Sequence, residues 1–266
     1  MTVEIATRER AYVRVAGPDA EDYLQRMVSN DVEALAEGES CAALLLTPKA
    51  RVIAPVVVLR RGPEDFLLLT EPDLGEPLRA HLARMRMRAR CEIEPEKHTS
   101  ALVFGGEGGI PTHEFGDPAV ELIDADLEPT LDAAELERLR IEAGTPAWGK
   151  EIDERVLPAE AGLTATHVSF TKGCYPGQEP VARLHHRGKA NRTLRVLEVE
   201  APEPPPYDAE LTWKGKPVGR VTSVARRPDG ALVGLAYVRV EVPEEAILSV
   251  EPAGSARGYT VSPARP

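Results

Sequence analysis

Apolar and polar positions along this 266-residue chain alternate in short strand-like runs broken by a few helical ones. A first strand reads at Ala11 to Val15. "GPDAEDYLQRMVSND" then predicts a helix with Pro18 in its first turn, acidic residues early where the helix dipole favours them, and an apolar face of Tyr23, Leu24, Met27 and Val28. Three apolar runs follow, Ala42 to Leu46, Val52 to Leu59 and Phe66 to Leu69, separated by turn residues. They predict an antiparallel meander with Gly62 and Pro63 in its second turn. A second helix, about Leu74 to Met85, leads into "RMRMRAR", Arg84 to Arg90, whose period of two predicts a half-buried strand with a solvated arginine face.

Further on, "FGGEGGIPTHEFGD" lacks the spacing of a phosphate or dinucleotide loop and reads as a plain connection. From Thr130 as N-cap, "LDAAELERLRIEAG" predicts a helix closed by Gly144. "TPAWGKEIDERVLPAEAGLTATHV" is punctuated by proline and irregular, a long loop of the kind built around a site. Beyond Asn191, about five short strands with turn residues between them predict a small β-barrel or sandwich, with a boundary near Lys189 to Asn191. Two domains are therefore expected, residues 1–190 and 191–266.

Composition narrows the class. With 42% hydrophobic and 28% charged residues the chain is an ordinary globular one, and no run approaches the roughly 18 apolar residues of a membrane span. The start lacks the basic-then-apolar pattern of a secretory signal, so a cytoplasmic location is expected. A net charge of -11 disfavours direct nucleic-acid binding, because phosphate contacts rest on Lys and Arg. Three widely spaced cysteines, Cys41, Cys91 and Cys174, argue for reduced thiols rather than a disulfide framework.

The densest chemistry lies in "SFTKGCYPGQEPVARLHH", Ser169 to His186. Cys174 follows Lys172, and neighbouring cations or free backbone N–H groups lower a thiol's pKa and make it reactive. Gly173 and Gly177 permit tight turns that expose the sulfur. Other readings stay open: a small half-buried cysteine, a zinc site with His167, His185 or His186, or a cysteine–histidine hydrolase. Cys41 and Cys91 sit in apolar, strand-like contexts. No metal site is expected, since these spacings match no standard ligand set.

"KGCYPGQEPVAR" resembles the K-G-C-Y-x-G-Q-E signature of the YgfZ family of folate-binding proteins. These are relatives of the glycine-cleavage aminomethyltransferases (T-proteins), implicated in iron–sulfur cluster maintenance and tRNA modification. "RIEAGTPAWGKEIDERVLPAEAGL" is similar to the family's R-x-E-x-G-x-P-x-x-G-x-E segment, "GPDAEDYLQRMVSNDVEALAEG" to its N-terminal helix and S-N-D turn, and "KPVGRVTSVARRPDGALVGLAYVR" to its C-terminal barrel.

The resemblance implies an α+β fold, a T-protein-like three-lobed arrangement of antiparallel sheets with helices around a central folate cavity, plus a C-terminal β-barrel. It implies tetrahydrofolate as cofactor, iron–sulfur client or assembly proteins as partners, and Cys174 with Lys172 as the acting residues. Glu142, at the carboxylate of R-x-E-x-G, is the residue expected to grip the pteridine edge. Arg183, Asn30, Asp31, Tyr175 and Gln178 are further expected cavity residues, Arg183 as partner of the anionic folate tail. Where T-proteins carry an aspartate that supports methylene transfer, this chain has Ala54 and Pro55. The resemblance therefore points to an accessory factor, with a folate-dependent aminomethyltransferase or demethylase as the alternative.

Overall fold

The chain's alternating segments pair into three antiparallel sheets in the computed structural model, which describes residues 3–188, 190–250 and 254–259. In chain order the first half comprises β1 (Ile5–Thr7), β2 (Ala11–Ala16), α1 (Ala20–Met27), β3 (Ser40–Leu46), β4 (Val52–Gly62), β5 (Asp65–Thr70), α2 (Gly75–Met85), β6 (Glu92–Glu96), β7 (Ser100–Phe104), β8 (Ile110–Thr112) and β9 (Ala119–Ile123). The second comprises α3 (Ala133–Glu142), α4 (Thr164–His167), α5 (Gln178–Arg187), β10 (Arg192–Glu200), β11 (Glu210–Trp213), β12 (Lys216–Arg226), β13 (Leu232–Arg239), β14 (Ile247–Val250) and β15 (Gly254–Tyr259). One sheet has the order β3-β4-β5-β2-β6 and a second β1-β7-β9-β8; the strands after Asn191 close a barrel, β10-β13-β12-β11-β14-β15.

The five-stranded sheet shows why its segments alternate. Val13, Val15, Val56, Val58, Phe66 and Leu68 point to one face and pack under Tyr23, Leu24 and Met27 of α1 and Leu78 and Leu82 of α2. Tyr12, Leu67 and Leu69 point to the other face and meet Ile110 of the four-stranded sheet. A strand buried on both faces needs apolar residues at successive positions, and β5 has them from Phe66 to Leu69. Helix α3 is a wedge: Leu136 and Leu139 pack toward Leu102 and Phe115, while Ile141 sits on Val196, Val233 and Leu235 of the barrel.

Several local expectations are corrected. "RMRMRAR" is not a strand. Arg84 and Met85 finish α2, and the chain then turns, with Met87 at φ 50, before β6 begins at Glu92. Pro18 precedes α1, which starts at Ala20. The N-cap of α3 is Asp132, whose carboxylate accepts from Glu135 N (2.8 Å) while Glu135 reaches back to Asp132 N (3.2 Å), a capping box. Thr130 instead accepts from Ile5 N at 2.9 Å and ties the segment to β1. The barrel has six strands among the described residues rather than five. His185 and His186 lie on α5, where His185 stacks on Phe170 at 4.0 Å. No helix among the described residues is long and apolar enough to cross a membrane.

His98 joins the two open sheets. Its Nε2 meets Glu96 of β6 at 2.8 Å and its Nδ1 meets Asp124, just past β9, at 2.7 Å. Burial opposes the imidazolium, but these two carboxylates outweigh it and raise the His98 pKa above its ordinary value. A group that holds its proton more tightly when folded stabilises below its unfolded pKa of about 6.5 and loses that contribution as pH rises through the folded value. The stability difference between the wild type and a His98→Gln variant therefore shrinks as pH rises from about 6 to 9. Urea midpoints across that range check it, and a difference that grows with pH would refute the assignment.

Candidate functional site

Two features converge on the irregular segment between α3 and α5. The first is the turn carrying Cys174. Its anchor is Lys172, whose Nζ donates to the carbonyls of Gln25 (2.6 Å), Val28 (2.8 Å) and Asn30 (2.7 Å). Gln25 belongs to the last turn of α1, where carbonyls lack helical partners, so the ammonium closes the helix end and the turn after it. Burial brings the Lys172 pKa down to about 8, with Asp31 and Cys41 opposing, so the side chain is charged at neutral pH. Its three N–H groups are all engaged, leaving none for the thiol.

The S-N-D turn is held from every side. Ser29 Oγ donates to His167 O (2.6 Å) and accepts from Leu44 N (2.8 Å), and Ser169 N donates to Ser29 O (3.0 Å). Asn30 Nδ2 donates to Ala42 O (2.7 Å) and Thr166 O (3.2 Å), while Asp31 accepts from Gln25 Nε2 (2.9 Å). Tyr175 is buried among Leu44, Leu46, Val52 and Val181. Gly177 has φ 85, and a Cβ there would lie 2.6 Å from Thr47 O, so the chain must have glycine where α5 starts. Gly173, by contrast, has open space around it and takes no left-handed conformation. Lys172, Tyr175 and Gly177 are thus fixed, and Cys174 between them is exposed. Burial pushes the thiol of Cys41 up to about 12 and that of the buried Cys91 upward as well.

The second feature is a cleft lined by Arg8, Arg10, Glu114, Trp148 and His167, with Pro55 and Val56 of β4 in its wall. Its free volume is about 50 Å³. Arg8 donates to Glu114 at 2.5 Å, and Arg10 holds Glu121 through two bonds of 3.1 Å. Ser100 Oγ also donates to Glu121, at 2.6 Å. Burial alone would raise the Glu114 pKa, but Arg8 and Arg10 overcome it and hold the group at about 2. Burial lowers His167 to about 4, against the pull of Glu114, so its imidazole is neutral at pH 7.

The residues expected from sequence divide between these places. Lys172, Cys174, Tyr175, Asn30 and Asp31 come together at the Cys174 turn. Gln178 opens α5 half-buried, and Arg183 is exposed on that helix. Glu142 is not among the residues lining the cleft; it pairs with Arg138 and with Arg227, each at 2.6 Å. Of Ala54 and Pro55, the positions expected to match the T-protein aspartate, Pro55 lines it. Arg8, Arg10, Glu114 and Glu121 were not singled out by the sequence. Among the described residues no group of His, Cys, Asp and Glu is arranged to hold a metal ion.

The whole architecture superposes on the glycine cleavage system aminomethyltransferase T from Bartonella henselae with a TM-score of 0.85, over 98% of this chain and 86% of that one, at 19% identity. In sequence the chain is 26% identical to the tRNA-modifying protein YgfZ of Edwardsiella ictaluri, over 90% of this chain and 85% of that protein. It is 28% identical to the mouse iron–sulfur cluster assembly factor IBA57, mitochondrial, over 87% and 76%. These likenesses, which run over most of the chain, support a YgfZ/aminomethyltransferase-like family. The chain matches no family model. Within this YgfZ-like frame, the fixed turn of Cys174 and the charged cleft are the two sites with chemistry to assign.

Two substitutions probe how the YgfZ-like turn and cleft are built. Lys172→Met leaves three carbonyls, two of them at buried contacts, without their cation and lowers stability by roughly 1.5–3 kcal/mol. Glu121→Gln removes the closest counter-charge of the buried Arg10, leaving it the longer contacts to Glu71 (3.7 Å) and Glu114 (4.0 Å), and costs up to about 3–5 kcal/mol. Urea unfolding of the purified variants measures both.

Proposed function

We propose that this protein is an accessory factor in iron–sulfur cluster assembly or repair, with effects on tRNA modification, acting through Cys174 and binding a tetrahydrofolate-class ligand in the cleft. The observation that carries the reading is the mounting of Cys174. Its neighbours are pinned by a buried ammonium, a buried tyrosine and an obligatory glycine, while Cys174 itself is exposed. A thiol presented in this way is accessible to a partner's cluster or sulfur species. One cysteine supplies one of the four ligands a cluster takes, so the remaining ligands come from the partner. The names of the YgfZ and IBA57 relatives support the same direction.

In this reading the three sheets are the three lobes around a folate cavity, and residues 1–190 and 191–266 are the two domains. The cleft lining suits a pteridine in kind. Trp148, Leu163, Val56 and Pro55 offer apolar surface, and a carboxylate can take two N–H bonds from the aminopyrimidinone edge. Its present volume is far below the roughly 300 Å³ of a typical small-molecule site, so entry requires the Arg8 and Glu114 pair to part. Glu142 is the carboxylate the resemblance implies, and it must leave Arg138 and Arg227 to serve; Glu114 already faces the cleft. The aminomethyltransferase alternative is weaker. Pro55 supplies no carboxylate, Glu114 near 2 is a feeble base, and His167 near 4 is little better at neutral pH.

The test is a Cys174→Ser variant in cells lacking the endogenous protein. It should melt at the wild-type temperature yet fail to restore iron–sulfur enzyme activity; full restoration would sink the proposal. Calorimetry with tetrahydrofolate, run on Glu142→Ala and Glu114→Gln in parallel, identifies the pteridine-gripping carboxylate by which variant loses about tenfold or more in affinity. If the wild type binds no tetrahydrofolate, the ligand drops out of the reading.

A further inference from the structure

We propose that the end of α2 and the turn after it, Arg84 to Arg88, form a docking surface for an acidic segment of a partner protein. It lies on a different element from the Cys174 turn and the cleft, and the inference does not depend on either. From Pro77 to Cys91 the chain has five arginines and no acidic residue, in a protein of net charge -11. Two of the five are neutralised locally, Arg79 by Glu76 and Arg90 by Asp19. Arg84 lies against His81, and Arg86 donates to the carbonyl of Cys91. Among the described residues none of Arg84, Arg86 and Arg88 has a carboxylate partner, and all three are exposed. A helix C-terminus welcomes one cation in its last turn, which accounts for Arg84 but not for Arg86 and Arg88 beyond it.

The apolar residues between the arginines give the second observation. Met87 is 87% exposed and Met85 42%, and Met87 is the most exposed large hydrophobic side chain among the described residues. Met87 also has φ 50, a left-handed conformation that a side chain other than glycine occupies at a cost. The fold therefore places a methionine where glycine would be easier, and aims it into water. Strained residues of this kind concentrate where a contact is made.

The chemistry selects the partner. Arginine and methionine are enriched at protein–protein interfaces, where lysine is depleted, and this stretch has arginines and methionines with no lysine. Guanidinium groups take carboxylates through paired hydrogen bonds, and methionine adapts to varied apolar contacts. Single-stranded nucleic acid, by comparison, is held by aromatic side chains that stack on bases, and the stretch has none. The occupant that fits is an extended run of Asp and Glu carrying an apolar residue.

The experiment uses the full chain and a fluorescent peptide of aspartate and glutamate with a central leucine pair, read by anisotropy at low and high salt. A peptide with lysines in place of the acids and a single-stranded RNA oligonucleotide are the comparisons. The acidic peptide should bind more tightly than either, and salt should weaken it. The double variant Arg84→Glu, Arg88→Glu should lose about tenfold or more in affinity. Met87→Gly separates binding from folding: it should melt at or above the wild-type temperature, because glycine relieves the left-handed strain, while binding the peptide more weakly. The proposal is overturned if the acidic peptide binds no better than the lysine peptide, if the variants bind as the wild type does, or if RNA binds more tightly.

Discussion

An ammonium removed from water must find oxygen atoms, and at Lys172 that requirement organises the region around the exposed cysteine. Three carbonyls from the end of α1 and the following turn converge on it. Without the cation they would be carbonyls facing one another in a largely buried place. Without the carbonyls the cation would be stranded. Each half justifies the other across about 145 residues of sequence, bringing the S-N-D turn against the turn of Cys174. The geometry explains how a thiol can be open to solvent without lying on a loose loop: its flanking residues hold the backbone, so the sulfur need not be buried to be positioned.

The same constraint recurs where the sheets meet. Arg10 and Glu121 join the start of the five-stranded sheet to the four-stranded one. Arg140 of α3 donates to Glu151 at 3.0 Å and to Ser223 of the barrel at 2.9 Å, and Ser223 in turn donates to Glu151 at 2.7 Å. Tyr237 of β13 closes the set on the Glu151 carbonyl at 2.7 Å. Apolar clusters fill each sheet's interior, but buried charges fix the orientation of one sheet on the next. An apolar interface tolerates sliding, whereas a paired charge with satisfied hydrogen bonds has a single low-energy arrangement. The cleft lies among these joints, so its wall is lined with charge.

Elements with a clean period were legible in the sequence. The meander of β3, β4 and β5, helix α2 and the strands after Asn191 followed from alternation and turn residues, because burial on a sheet face writes a period of two into the chain. The arginine stripe misled for the same reason. A period of two at Arg84 to Arg90 imitates a strand, yet the residues that decide the conformation are Leu78 and Leu82, four apart and fully buried, which carry α2 onward to Met85. The cleft was illegible because its pairs are remote: Arg8 meets Glu114 106 residues away and Arg10 meets Glu121 after 111. No local pattern encodes a contact of that span. Lys172 was noticed for its closeness to Cys174, and its partners reveal a different task.

The contrast among the three thiols narrows the chemistry further. Cys41 and Cys91 are pushed upward by burial and held as thiols. Cys174 differs from them in access, and the nearest cation in sequence, Lys172, is already committed to carbonyls. Two groups of the cleft are drawn toward the acid end, Glu114 to about 2 and His167 to about 4, so that neither shares protons readily at neutral pH. An exposed thiol on a turn held by Lys172, Tyr175 and Gly177 suits the proposed role of presenting a sulfur ligand to a partner.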